Sequence, residues 1–360
     1  MKETYSGIQI KNLIWDITYE CNLKCIHCYN SKKIDTRRNE YLLVNGLSSD
    51  ICKKIYDMGI SHVHLLGGEP FIEKRIYALI ENLNYYGIEV TINTNGTIIN
   101  KDLKEILLKN QIQQITISLD GGTREDNDSI RGEGVFDVVC NNIRLLNEFI
   151  SEQSIDVKIN IATVLTRKNY RNIIKLPRLI RELGGANLQI LSLYNCGRAS
   201  CGGSLEISTA EYLETILFLI YEGYRNNITL QFDCKPRVIE ELKDKIKVDQ
   251  SKEIVEDTCL AGKTIVYMDA YGNIYPCGPI SQNEEIAWQY KEKFNDPDVL
   301  NHINKYYDRI KENIKVKTVD EFCESCRFLM QCNECICCTR DNRLCKEACY
   351  FIKNRKEGIS

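Results

Sequence analysis

Short runs of β-branched and apolar residues recur along the first two thirds of the chain, separated by longer stretches with apolar positions three and four apart. LIWDIT (13–18), HVHLLG (62–67), EVTINT (89–94), QITISL (114–119), VKINIATV (157–164) and LQILSL (188–193) predict six strands. Stretches near 48–58, 72–86, 100–109, 135–150 and 169–183 predict helices, with another over 208–226. Ser48 suits an N-cap for the first of these, and Gly184-Gly185 a stop for the fifth. Strands that alternate with helices imply parallel pairing through right-handed crossovers, hence an α/β fold. Six units, with a further strand candidate at ITLQF (228–232), predict a partial (β/α)6 TIM-like barrel. Its site belongs at the C-terminal ends of the strands.

The pattern changes around 235–258, where KPRVIEELKDKIKVDQSKEIVED predicts a solvated helix and linker. TIVYMDAYGNIYPC (264–277) predicts a β-hairpin turning at Ala-Tyr-Gly-Asn, and a polar helical stretch near 297–314 precedes a cysteine-dense tail. The expected division is a barrel over 1–232, a linker helix over 233–258, a small Cys-rich domain over 259–351 and a tail over 352–360.

Composition narrows the function. Hydrophobic residues make up 43% and charged residues 27%, with a net charge of −3, the balance of an ordinary globular protein. The longest apolar run, TILFLIY (215–221), falls far short of the roughly 18 residues a membrane span needs. The N-terminus has no basic region followed by an apolar one, so no secretory signal is expected and a cytoplasmic location is. Mixed charge and a pI near 6.0 imply no nucleic-acid partner.

The 18 cysteines are the anomaly. Three lie at 21, 25 and 28, and eight crowd into 323–349. A chain of 360 residues without a signal is not a secreted disulfide scaffold, so clustered thiolates point to metal. Cys21, Cys25 and Cys28 follow the first strand directly. Structural zinc would need a fourth protein ligand, for which His27 is the local candidate; an iron–sulfur cluster could keep one iron open for a substrate or cofactor.

The C-x3-C-x-H-C arrangement resembles the radical S-adenosylmethionine (radical SAM) superfamily, and the resemblance continues at later strand ends. Gly67-Gly68-Glu69-Pro70 resembles that family's GGEP segment, which contacts the methionine amino group of SAM. INTNGT (92–97) and SLDGGTREDNDSIRGEGVFD (118–137) match further landmarks, which puts Asn95, Ser118, Asp120 and Arg131 near bound SAM, the arginine suited to the SAM carboxylate. NCGRAS (195–200) resembles a segment lining the same pocket. The resemblance implies a [4Fe–4S] cluster on Cys21, Cys25 and Cys28 that cleaves SAM to methionine and a 5′-deoxyadenosyl radical, which then abstracts hydrogen from the substrate.

Residues 259–351 resemble the SPASM extension of such enzymes, which carries two auxiliary [4Fe–4S] clusters. Cys259 and Cys277, spaced C-x12-G-x4-C, would serve the first, and Cys323, Cys326 and Cys332 the second. The family's next cysteine falls here on Ile336, flanked by Cys335 and Cys337; Cys337 is preferred to complete the first cluster, and Cys349 over Cys345 the second. A zinc-ribbon tail is the competing reading of the same CxxC pairs. Cys52 and Cys140 read as buried small hydrophobes, Cys196 and Cys201 as packing or turn residues, His62 and His64 as strand-face residues, and Asp269 as turn support.

SPASM-type enzymes mostly modify peptides, so the expected activity is hydrogen abstraction from a ribosomal precursor peptide, leading to a cross-link, oxidation or rearrangement. Sulfatase-maturating enzymes carry an aspartate base where this chain has Gly278, which counts against that side-chain oxidation. Radical oxidation of a sugar or alcohol is the competing enzymatic reading, and an Fe–S carrier or zinc-stabilised binding protein the non-enzymatic one. With the first cluster beginning at Cys21, leader recognition is expected from a separate protein or the barrel surface, and electrons from a flavodoxin or ferredoxin.

Overall fold

The structure is a computed structural model, and it describes residues 10–36, 41–45, 48–109, 111–194, 196–200, 205–232, 254–256, 260–282 and 286–306. The six expected strands are present as β1 (Asn12–Asp16), β2 (His62–Leu66), β3 (Glu89–Thr94), β4 (Gln114–Ser118), β5 (Lys158–Val164) and β6 (Asn187–Leu191). They pair in chain order and in parallel. The seventh candidate forms β7 (Thr229–Phe232), and β8 (Ile254–Glu256) extends the parallel run beyond it. That last strand lies inside the stretch expected to be helix and linker, three residues hidden among charges.

The hairpin is β9 (Ile265–Met268) and β10 (Asn273–Tyr275), antiparallel as expected. It joins the barrel sheet: β9 runs parallel to the free side of β1, with Leu13 beside Val266 and Trp15 beside Met268. A short β11 (Glu292–Lys293) completes an order of β11-β10-β9-β1 through β8. No described strand joins β8 to β11, so the sheet curls without closing.

Helices cover one side. α1 (Ser31–Asp35), α2 (Leu42–Asn45), α3 (Ser48–Asp57), α4 (Ile76–Tyr85), α5 (Lys101–Leu108), α6 (Arg124–Arg131), α7 (Val135–Gln153), α8 (Leu176–Glu182) and α9 (Thr209–Asn226) follow in order. Ile117 of β4 faces α7, close to Gly96 and Val139, while Leu230 of β7 packs against Gly223 of α9, where a Cβ would come within 2.7 Å of it. Val63, Leu65, Val90, Ile92, Ile159, Ile161, Leu188 and Ile190 are buried in the same core. Because side chains alternate along a strand, the other set looks into the barrel. Of these, Asn93, Ser118, Asn160, Gln189 and Gln231 are half-exposed. The concave face is thus open, and amides and hydroxyls line much of it.

Cys52 and Cys140 are buried in the core as expected. His62 and His64 bond across the sheet to Asn12 and Thr91, consistent with strand-face roles. Asp269 holds the hairpin turn, accepting from the N–H groups of Tyr271 and Asn273 at 3.0 and 2.9 Å. Among the described residues no helix is long and apolar enough to cross a membrane.

Candidate functional site

Residues 17–30 leave β1 at the C-terminal mouth of the barrel and carry the first three cysteines. Three segments grip this loop from three directions. The first is the β2 loop. Ile17 N–H bonds Leu66 O at 2.9 Å, Gly68 N–H bonds Thr18 O at 2.8 Å and Glu69 N–H bonds Glu20 O at 2.7 Å. The two backbones run so close that a Cβ on Gly67 would sit 2.4 Å from Thr18 O, and one on Gly68 would sit 2.1 Å from Glu20 O. Here the glycines serve the approach of one loop to another.

Glu69 turns inward and is fully buried. Its carboxylate accepts from Thr94 Oγ1 and the N–H of Asn95, both at 2.7 Å, and from the N–H of Phe71 at 3.2 Å. Burial pushes its pKa up to about 7 against the pull of those donors. In this structure the side chain ties the GGEP loop to the end of β3. Asn95 in turn donates to Asn22 Oδ1 at 2.8 Å, reaching the cysteine loop itself.

The second grip comes from β4 and α6. Ile26 N–H bonds Ile130 O at 3.0 Å. Asp120, buried just past β4, pairs through Oδ2 with both His27 Nε2 and Arg131 Nη2, the latter at 2.7 Å. Its Oδ1 accepts from Val164 N–H at 2.7 Å. Burial alone would raise the Asp120 pKa, but Arg131 and His27 hold it well below the usual carboxylate range. Arg131 Nη1 lies 4.0 Å from Cys25 Sγ. Ser118 stands half-buried on the open face at the end of β4.

The third grip is Gly197–Arg198, after β6. Arg198 N–H bonds Cys28 O at 3.2 Å and its Nη1 bonds Cys25 O at 2.9 Å. Gly197 has a φ of +60°, and a Cβ there would meet Cys28 O at 2.4 Å.

Burial raises the pKa of all three thiols, and for Cys28, where the Cys25 charge adds to it, to about 12. Three mutually repelling, partly desolvated thiolates need a multiply charged cation among them, with Arg131 and Arg198 as lesser compensation. The donor set fits an iron–sulfur cluster. Among the described residues no group of three or more His, Cys, Asp or Glu is arranged to hold a single metal ion, and His27, the candidate fourth ligand for zinc, spends its Nε2 on Asp120.

The structure therefore gathers Gly67, Gly68, Glu69, Asn95, Asp120 and Arg131 around the loop of Cys21, Cys25 and Cys28, with Pro70 opening the turn that follows. Cys277 follows β10, and beside it a Cβ on Gly278 would lie 3.6 Å from the Tyr267 ring and 3.7 Å from Tyr29. Cys259, Cys323, Cys326, Cys332, Cys337 and Cys349 lie outside the described residues. Sequence reasoning missed the His27–Asp120 pair and the Arg198 brace. The NCGRAS segment was the one available signal for Arg198; nothing in the sequence links positions 27 and 120. It also missed a buried polar cluster between β1, α1 and the hairpin. Asp16 Oδ2 there accepts from Asn30 Nδ2 at 2.7 Å and from the Tyr267 hydroxyl, while Lys33 bonds Ser281 at 3.0 Å beneath the rings of Tyr19, Tyr267 and Tyr275.

Residues 15–180 match the sequence model of the Radical SAM superfamily. An AdoMet-dependent heme synthase of Methanosarcina barkeri is 25% identical over 90% of this chain and 90% of its own length. The mycofactocin maturase MftC of Mycobacterium tuberculosis is 28% identical over 74% of this chain and 63% of its own. In fold, the chain resembles Streptococcus suis SuiB bound to its precursor peptide SuiA, with a TM-score of 0.69 and 22% identity over 91% of this chain and 71% of that one. The three-cysteine loop and the β2, β3 and β4 loops that hold it all lie within the matched stretch, so residues 15–180 form a radical SAM domain, of the kind that works with a [4Fe–4S] cluster and S-adenosylmethionine.

Proposed function

We propose that this enzyme modifies a ribosomally made precursor peptide, forming a cross-link, oxidising a residue or rearranging one. The observation that carries this reading is the likeness to a mycofactocin maturase, and the open barrel face supports it. Asn160 and Gln189 offer amides that can pair with peptide groups without requiring a charged ligand. The bound cofactors would supply hydrogen-atom abstraction by a 5′-deoxyadenosyl radical. Cys21, Cys25 and Cys28 would hold the cluster; Gly67, Gly68, Glu69, Pro70, Asn95, Ser118, Asp120 and Arg131 would frame SAM. The protein's own part is to fix these groups on three bracing loops and to orient the substrate above the open face.

The tail is assigned, on the SPASM resemblance, to two auxiliary [4Fe–4S] clusters held by Cys259, Cys277 and Cys337 and by Cys323, Cys326, Cys332 and Cys349. The same reading divides the chain into the barrel (1–232), a linker (233–258), the auxiliary-cluster domain (259–351) and a tail (352–360). A separate leader-recognition protein and a flavodoxin or ferredoxin are the proposed partners, and the cytoplasm the proposed location.

The heme synthase relative, matched over most of both chains, favours a second reading in which the substrate is a small molecule. One experiment separates them. Anaerobically reconstituted enzyme is supplied with SAM, reductant and either the short peptides encoded beside its gene or an iron porphyrin. Peptide modification predicts 5′-deoxyadenosine together with a mass change in one peptide; a changed porphyrin with untouched peptides overturns it.

A further inference from the structure

We propose that Arg131, held in place by Asp120, is the charge partner of the Cys25 thiolate and makes the cluster on this loop easier to reduce. The placement is rigid. Asp120 is fastened on both oxygens, Oδ1 by Val164 N–H at 2.7 Å and Thr163 Oγ1 at 3.3 Å, Oδ2 by His27 and Arg131. Its backbone is fixed too, since its N–H donates to Asn127 Oδ1 at 3.0 Å and its carbonyl accepts from Asn169 at 2.8 Å. Arg131 ends α6, where a cation is favoured by the helix dipole, and the bond from Ile26 N–H to Ile130 O sets that helix end against the cysteine loop.

The guanidinium is therefore presented rather than free to wander. One nitrogen is spent on Asp120, another reaches Cys25 Sγ at 4.0 Å, and the buried Nε has no hydrogen-bond partner. Cys25 is the only buried thiol of the three. It sits where solvent screens least, so a fixed positive charge there acts at short range and low dielectric. Reduction adds negative charge to the cluster and its thiolates, and a cation beside one thiolate favours the reduced state; charge and hydrogen bonds at the sulfurs are known levers on cluster potential. Asp120 shares its charge between Arg131 and His27, which leaves the guanidinium partly uncompensated toward Cys25. This role is separate from any contact of Arg131 with the SAM carboxylate, because it operates before SAM binds.

The test is EPR-monitored potentiometry of the reconstituted full-length protein without SAM, comparing wild type with Arg131→Gln and Arg131→Lys. SAM added at the end identifies the relevant cluster by the change in its signal. Arg131→Gln should shift the midpoint to more negative potential, Arg131→Lys should recover part of the shift, and Arg124→Gln, at an exposed pair with Asp137, should leave it unchanged. An Arg131→Gln protein with full iron and the wild-type potential overturns the proposal. If Arg131→Gln takes up no iron, Arg131→Lys decides: restored loading supports a need for charge beside Cys25, and continued failure overturns it in favour of a purely steric role.

Discussion

Arg198 reaches across from the loop after β6 to the carbonyl oxygen of Cys25, with Nη1 at 2.9 Å, while its own N–H holds the carbonyl of Cys28 at 3.2 Å. One residue thus spans two turns of the cysteine loop, and its side chain contributes about 1–2 kcal/mol as a charged donor to a partly buried acceptor. Arg198→Gln keeps the backbone bond and loses the longer reach. The reconstituted variant should release iron to a ferrous chelator several-fold faster than wild type, with an unchanged far-UV CD spectrum. Equal release rates would show that the brace does not hold the loop.

Gly68 allows no side chain. A Cβ there would lie 2.1 Å from Glu20 O and 2.6 Å from its carbonyl carbon, both backbone atoms that cannot swing aside. Gly68→Ala must push the GGEP loop away from the cysteine loop and break the bonds of Gly68 and Glu69 to residues 18 and 20. The strain is on the order of 1–3 kcal/mol. SAM binding, followed by equilibrium dialysis, should fall at least tenfold, while the iron of the proposed auxiliary clusters stays. Retained SAM affinity would mean that the close approach is incidental.

The strands were legible because each is a short β-branched run bounded by polar turns, and parallel order followed from the helices between them. The site was legible where residues close in sequence act together, as in Cys21, Cys25 and Cys28 or Gly67-Gly68. Other features left little trace. α6 (REDNDSIR) has a single apolar residue, Ile130, so no apolar pattern marks the helix that delivers Arg131. β8 is three residues within a charged stretch. The parallel pairing of β9 with β1 joins positions more than 250 residues apart, and nothing local encodes it. The resemblance of the GGEP segment implies a contact with the SAM amino group, and only the structure reveals that three of the protein's own donors already use the Glu69 carboxylate.

Asp16 should make stability depend on pH in an unusual sense. Burial, opposed by the Tyr267 and Asn30 hydrogen bonds and by Lys33, raises its pKa from 3.8 to about 6. The native state then binds the proton more tightly than the unfolded chain does. The ionised group therefore costs stability progressively as pH rises from about 4 to about 6, and by a constant amount above, up to about 3 kcal/mol. Asp16→Asn removes that cost. Its carbonyl can still accept from Tyr267 and Asn30, while its amide replaces Oδ1, which is buried without a hydrogen-bond partner, at about 1 kcal/mol for the unsatisfied donor. The apo variant should melt higher than wild type at pH 8 and no higher at pH 4. A gain independent of pH would place the ionisation elsewhere.

Gly278 tests the same buried charge from the opposite side. A Cβ there meets the Tyr267 ring at 3.6 Å and Tyr29 at 3.7 Å, ordinary contact distances, so a short side chain can start without a clash. Tyr267 also donates its hydroxyl to Asp16, which puts a carboxylate at position 278 beside a ring already committed to another buried acid. Two acids in one poorly solvated region repel when both ionise. Gly278→Asp should therefore lower the apo melting temperature at pH 8 by an amount equivalent to about 1–2 kcal/mol, while Gly278→Asn, of the same size and neutral, should lower it less. The coupling is read from the double variant with Asp16→Asn: removing the first charge should recover most of the difference between Asp and Asn at 278. If that difference survives in the Asp16→Asn background, the two positions do not share an electrostatic environment.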